Sequence, residues 1–188
     1  MSLWGASTTD ESKPKHLTDA EKREVYATEE GWVKRTAGTG GRAGRVHEEI
    51  LVAIGDLSGG TAGTAKLAAG TISSTRFITT SLGAAAGGAF SAEVIYNEKV
   101  DVTGTPLLTV TNDTPSRNVT LSYASGTGTN RLTFTATVAA DATTVGDVLS
   151  VGADAVTAAG TIKDAGTNTD SARTHSAQAV TTNITVAA

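Results

Sequence analysis

"NRLTFTATVAAD", residues 130–141, sets the period by which the rest of the chain is read. Leu132, Phe134, Ala136 and Val138 fall on one side of an extended backbone, and Thr133, Thr135 and Thr137 on the other. Successive side chains of a strand point to opposite faces, so apolar residues alternating with Thr mark a strand with one face buried. The same period recurs outward in both directions. "NVTLSYASG" (118–126) offers Val119, Leu121 and Tyr123, and "PLLTVTN" (106–112) offers Leu108 and Val110. "AFSAEVIYNEKVDVTG" (89–104) sets Phe90, Ala92, Val94 and Tyr96 against Ser91, Glu93, Ile95 and Asn97. "TISSTRFITTSL" (71–82) keeps a weaker register, and "GDVLSVG" (146–152), "TIKDAG" (161–166) and "AVTTNITVAA" (179–188) complete the set. Turn residues at Gly104-Thr105-Pro106, Asn112-Asp113 and Gly126-Thr127-Gly128 punctuate the runs. Short alternating strands between such turns predict an all-β antiparallel sandwich of about seven strands, with Leu132, Phe134, Val138, Val94, Tyr96, Leu108 and Leu121 in its core.

Composition agrees and sets limits. Aromatics make up 4% of the 188 residues, while Gly (21) and Thr are abundant, as in a turn-rich β protein. A formal charge of −4 is too mild and of the wrong sign for a partner held through phosphates, so no nucleic acid is expected. No apolar run reaches the length of a membrane span, and no basic-then-apolar leader opens the chain. Neither a membrane nor an export route is expected, and Met1-Ser2 reads as a start made in a cytoplasm. The absence of cysteine removes disulfides, thiolate zinc ligands and thiol nucleophiles.

Charge divides the chain near residue 70. Residues 1–70 hold 19 of the 34 charged side chains, and the boundary falls in "SGGTAGTAKLAAGT" (58–71), which has no periodic apolar face. We therefore expect residues 1–70 to be an extended N-terminal arm and linker, and 71–188 the β domain. In the arm, "LTDAEKREVYAT" (17–28) predicts one short helix, because Thr18 followed by Glu21 is a capping box. Glu49–Ile54 reads as a strand or extended tether broken by Gly55 and Asp56.

Candidate chemistry is sparse. His16, His47 and His175 are far apart and lack metal-ligand spacing. "GTGGRAG" (38–44) has no Lys-Ser/Thr ending and no preceding strand, so it reads as a linker and not a phosphate loop. Ser91, Ser122 and Ser125 have no elbow and no neighbouring His. Asp164, Asn168 and Asp170, with Asp141, Asp147 and Asp154 before them, supply oxygen ligands of the kind calcium takes. Without EF-hand spacing, turn formation is the reading preferred. No cofactor, no metal and no enzymatic activity are expected.

Both tryptophans, Trp4 and Trp32, lie in the arm, together with Tyr26 and the apolar run Ile50, Leu51, Val52 and Ile54. By its own apolar area the arm cannot offset its ordering entropy. These seven residues are therefore expected to bind a neighbouring subunit, as buried Trp and Tyr commonly do at interfaces; the alternative is that the arm folds back and Trp4 and Trp32 pack on their own sandwich.

Two resemblances bear on function. "YNEKVDVTGTPLLTVTN" (96–112), "YASGTGTNRLTFTATVAAD" (123–141) and "GTIKDAGTNTD" (160–170), in that order, resemble an immunoglobulin-like repeat of bacterial adhesins and phage surface proteins. The match covers about residues 88–170 and implies an immunoglobulin-like sandwich. "MSLWG" (1–5), "SKPKHL" (12–17), "YATEEGWVKR" (26–35) and "ILVAIGDLSG" (50–59) resemble the short arm of virion structural proteins of marine contractile-tailed phages. Together they imply a virion structural protein without fixing its place in the particle; a capsid decoration (cement) protein is the expectation, with the major capsid protein or other virion subunits as partners and self-association open. A neck, tail or fibre component of the virion is the alternative, and a bacterial surface adhesin module the next.

Overall fold

The computed structural model describes residues 11–37, 45–59, 66–67, 69–157, 159–174 and 183–188. They form one short helix, α1 (Asp19–Glu24), and eleven strands: β1 (Val25–Thr28), β2 (Gly31–Ala37), β3 (Val46–Ala53), β4 (Ile72–Phe77), β5 (Gly88–Gly104), β6 (Leu107–Asn112), β7 (Val119–Ser125), β8 (Thr129–Val138), β9 (Val148–Thr157), β10 (Gly160–Asp164) and β11 (Ile184–Thr185). The all-β expectation stands. The expected count of about seven strands falls short, because β5 joins the later strands to three earlier ones that were read as an arm.

The strands run in the order β11-β9-β6-β7-β8-β5-β1-β2-β3, with β4 and β10 also paired to β5. β5 is the hub. Its first half pairs antiparallel with β8 (Gly88↔Val138 through Ile95↔Arg131) and with β4 (Phe77↔Ala92). Its second half pairs with β10 from Val100↔Asp164 to Gly104↔Gly160. Between them Glu98 meets Ala27 of β1 in a parallel bridge. At the far end, Ala187 donates to the Leu82 carbonyl (2.8 Å) and accepts from the Ala84 amide (2.9 Å). The path therefore curls back toward the segment that leads into β5.

It curls around the core that the alternation predicts. Phe90, Val94, Tyr96, Leu108, Leu121, Leu132 and Phe134 are fully buried, and Val138 nearly so. Tyr123 meets Phe134 edge-on at 6.0 Å, and Phe77 lies 5.4 Å from Phe90, separations at which aromatic pairs add to area burial. Thr120, Thr135 and Thr137 remain on the solvent side.

The expected extended arm is instead a folded meander. The capping box forms as read: Thr18 Oγ1 accepts from the Glu21 amide and Glu21 returns a bond to the Thr18 amide. α1 ends at Glu24, short of the expected Thr28, because Val25 turns into β1. Glu29 and Glu30 then make the two-residue turn of a β1–β2 hairpin, in register from Thr28↔Gly31 to Val25↔Lys34. Gly31 has φ +135°, and a Cβ there would lie 2.0 Å from the Val52 carbonyl, so this corner requires glycine. β3 pairs with β2 up to Gly31↔Ala53 and stops before Gly55 and Asp56, as the sequence suggested.

This meander has a second, smaller core: Leu17, Val25, Ala27, Trp32 and Leu57, with Leu51, Val52, Ile54 and Leu67 packed against it. The expectation weighed the arm by itself and so omitted its contact with β5, where Ala27 bridges to Glu98.

Candidate functional site at the junction of the two cores

The junction is built from four segments that the sequence keeps far apart. β1 brings Ala27 and Thr28, the loop after β3 brings Ser58 and Gly59, β5 brings Glu98 and Lys99, and the end of β10 brings Asp164 to Gly166. Backbone bonds fix them to one another: the Ser58 amide donates to the Thr28 carbonyl (3.2 Å), and the Ala165 amide to the Lys99 carbonyl (3.1 Å). Gly59 and Gly166 pack so closely that a Cβ on Gly166 would fall 1.9 Å from the Gly59 Cα.

Above the junction lies an open cleft of about 540 Å³. Ala27, Val33 and Ile50 give it an apolar floor, while Glu29, Glu30 and Glu48 set carboxylates on its wall and Lys99 a single ammonium. Among the described residues, no three His, Asp or Glu side chains are placed to hold a metal ion.

Behind the cleft, two carboxyl groups meet in the protein interior. Glu98 is 0% exposed and Asp164 1%. Glu98 Oε2 accepts from the Ser58 hydroxyl at 2.8 Å. Asp164 Oδ1 accepts from the Gly166 and Thr167 amides at 2.6 and 2.7 Å. The remaining oxygens, Glu98 Oε1 and Asp164 Oδ2, have no donor. Burial pushes Glu98 up to about 7; the Ser58 bond opposes this shift, and the Asp164 hydrogen bond and charge add to it.

A second polar assembly ties the meander to the larger core. Arg131 on β8 places one guanidinium nitrogen 2.5 Å from Glu24 and another 3.1 Å from Glu93, and Arg76 on β4 meets the same Glu93 oxygen at 2.7 Å.

The residues expected to bind a partner divide among four fates. Trp4 lies outside the described residues, as do His175 and the 38–44 linker. Trp32 is 3% exposed. Its indole N–H donates to the Glu11 carbonyl at 3.2 Å, and the Lys13 ammonium sits 5.5 Å from its ring centroid. Burial lowers that ammonium to about 8. Trp32 is therefore docked inside its own chain, and this corrects its reading as an anchor for a neighbour. Tyr26 is also buried at 3%. Its phenol is held above its ordinary range first by burial and then by the Glu48 carboxylate. Leu51, Val52 and Ile54 are half-buried against the small core. Ile50 is the exception, 48% exposed on β3, and Val46 on the same strand is 51% exposed. β3 ends the strand order, and among the described residues only β2 pairs with it.

Of the acidic residues weighed for calcium, Asp164 makes a turn with its own loop, and Asp147 accepts from Asn112 (2.7 Å), Thr114 (2.7 Å) and the Thr144 amide (2.9 Å). Both bind protein donors in the manner of turn residues. Arg131 escaped the sequence reading because it occupies a slot that alternation assigns to solvent, and Glu98 because it is a charged residue on the parity of Phe90, Val94 and Tyr96, where alternation calls for an apolar one. The available signal was the length of the run from Ala89 to Gly104, which exceeds an ordinary strand and so implies several neighbours.

Comparison with family models, with curated proteins and with solved structures finds no match to this chain.

Proposed function

We propose that this chain is a non-enzymatic structural protein of a phage virion, a capsid decoration protein that fastens to a repeating shell and displays its larger β unit outward. The reading rests on the resemblance of residues 1–59 to virion arms and of residues 88–170 to immunoglobulin-like surface repeats. The structural observation that supports it most is β3. An eight-residue edge strand whose outer side no other described strand pairs can accept a partner strand through main-chain hydrogen bonds. Val46 and Ile50 place exposed apolar area on that strand. Glu48 and Glu49 between them disfavour indiscriminate pairing and select against acidic partners. Trp4, upstream of the described residues, is the second proposed contact. Many weak contacts of this type, repeated over a lattice, give firm attachment by avidity.

The test adds purified wild type, Trp4→Ala, Ile50→Lys and a 71–188 truncation to particles lacking this component, then counts bound copies. Attachment should weaken by about 30-fold for either point variant, as for an interface hot spot, and vanish for the truncation. Truncated chains that rebind as well as wild type would refute attachment through residues 1–70. Hundreds of copies per particle support shell decoration, whereas about a dozen would place the chain at a neck or fibre instead.

A further inference from the structure

We propose that Glu98 and Asp164 share a single proton, and that this proton fastens the 57–59 loop, and with it the β1–β3 meander, onto β5 and β10. The inference is independent of the virion reading and begins from unmatched oxygens. Buried acceptors without donors are rare because each carries its full desolvation cost. Here two occur together, one on each carboxyl group, while the other oxygen of each is satisfied by Ser58 or by the Gly166 and Thr167 amides. One proton between Glu98 Oε1 and Asp164 Oδ2 satisfies both at once and leaves one negative charge in place of two. Paired carboxyls in other proteins behave this way, because like charges in contact cannot both ionise.

The position gives the proton its consequence. Glu98 is the residue of β5 that bridges to β1, and its other oxygen holds Ser58 in the loop that closes the meander. Asp164 closes β10. Loss of the proton therefore sets two buried charges against each other at the contact between the two cores.

Other charges nearby do not take over the role. Glu29 and Glu30 of the β1–β2 turn, Glu48 of β3 and Lys99 of β5 line the open cleft. Asp56 lies before the loop on the exposed side, and Lys163 on β10 alternates away from Asp164. The raised Glu98 value comes first from burial and then from the Asp164 hydrogen bond and charge, with Ser58 opposing it. The sign follows. The closed junction holds its proton to a higher pH than an opened one, so closure is firmest below the ordinary carboxylate range. It weakens as pH rises through the raised value and is constant beyond it.

The experiment compares the full-length wild type with Glu98→Gln, whose amide supplies the missing donor to Asp164 permanently while its oxygen still accepts from Ser58. Backbone hydrogen exchange in β1 and β2, corrected for the intrinsic pH dependence of exchange, reports opening of the meander. In wild type the opening constant should rise by up to tenfold per pH unit between about pH 5 and 7, the slope for one proton. In Glu98→Gln it should stay flat. A parallel titration of the wild-type Glu98 carboxyl carbon by NMR needs no variant and should show a midpoint well above ordinary carboxylates. An ordinary midpoint, or a Glu98→Gln profile identical to wild type, overturns the proposal. So does restoration of wild-type protection at pH 7.5 by calcium chloride, which would assign the gap between the carboxyls to a cation.

Discussion

Arg131 reaches Glu24 across 107 positions of sequence, its Nη2 2.5 Å from the carboxylate Oε2. The contact joins the last residue of α1 to the central strand pair, and the same guanidinium also serves Glu93. The two bonds differ in worth. Glu24 is 39% exposed, so that pair contributes under about 1 kcal/mol, whereas Glu93 is 10% exposed and cannot lose its cation cheaply.

Replacing Arg131 by Met should therefore cost about 2 kcal/mol, below the usual penalty for a broken buried pair because Arg76 still meets Glu93. Glu24→Gln should cost less than about 1 kcal/mol. Chemical denaturation of both single variants and the double variant checks the ranking. Equal costs for the two single changes would contradict it.

Trp32→Ala should destabilise the whole chain by about 3–5 kcal/mol, as for a buried aromatic. A ring meant only for a partner would leave the free protein's melting temperature unchanged. Calorimetry of the isolated variant decides between them, and an unshifted transition would restore the docking role.

These two side chains show where sequence legibility stops. The larger core was readable because its strands bury one face: Leu132 and Phe134 alternate with Thr, and that pattern has one physical solution. β5 is different. Ala92 to Glu98 is buried on both faces and both edges, so Glu93 looks solvent-facing by period although the fold encloses it, and Glu98 shares the core parity of Val94 and Tyr96 although it is charged. The capping box at Thr18 was legible because it is local. The fate of Trp32 was not, because its cover comes from residues 11–17 and its neighbours are Val25 and Ala27 of β1 with Leu57 and Leu67. Ile50 was read correctly as extended, yet only the strand order shows that its strand lies at an edge.

Acid should weaken the protein through Asp147. Its carboxyl is held below the usual range, first by the Asn112 amide, then by the Thr144 backbone and the Thr114 hydroxyl. A lowered native value means that this stabilisation is complete above the unfolded carboxylate range. It is lost as pH falls through the native one. Asp147→Asn should be less stable than wild type at pH 7 and lose less of its remaining stability between pH 4 and 2. Parallel loss in the two proteins would remove Asp147 as the acid-sensitive group.

The boundary near residue 70 yields the broadest prediction. Every buried residue of the larger core lies between Leu82 and Val186, and every buried residue of the smaller one between Leu17 and Leu57. A fragment spanning 71–188 therefore keeps its whole core and should fold cooperatively. It loses Glu24 opposite Arg131, Ser58 opposite Glu98, the Ala27 bridge and the Lys13–Ser73 bond (3.3 Å). Its melting temperature should therefore fall below that of the full chain, by several degrees for each kcal/mol lost at this size. A fragment spanning 1–70 has five buried residues in its core, too few to offset the entropy of ordering three strands, and should show no cooperative transition. Calorimetry of the two fragments checks both halves of the statement. A 71–188 fragment without a transition would mean that the meander is an integral part of one folding unit, and the division at residue 70 would be wrong.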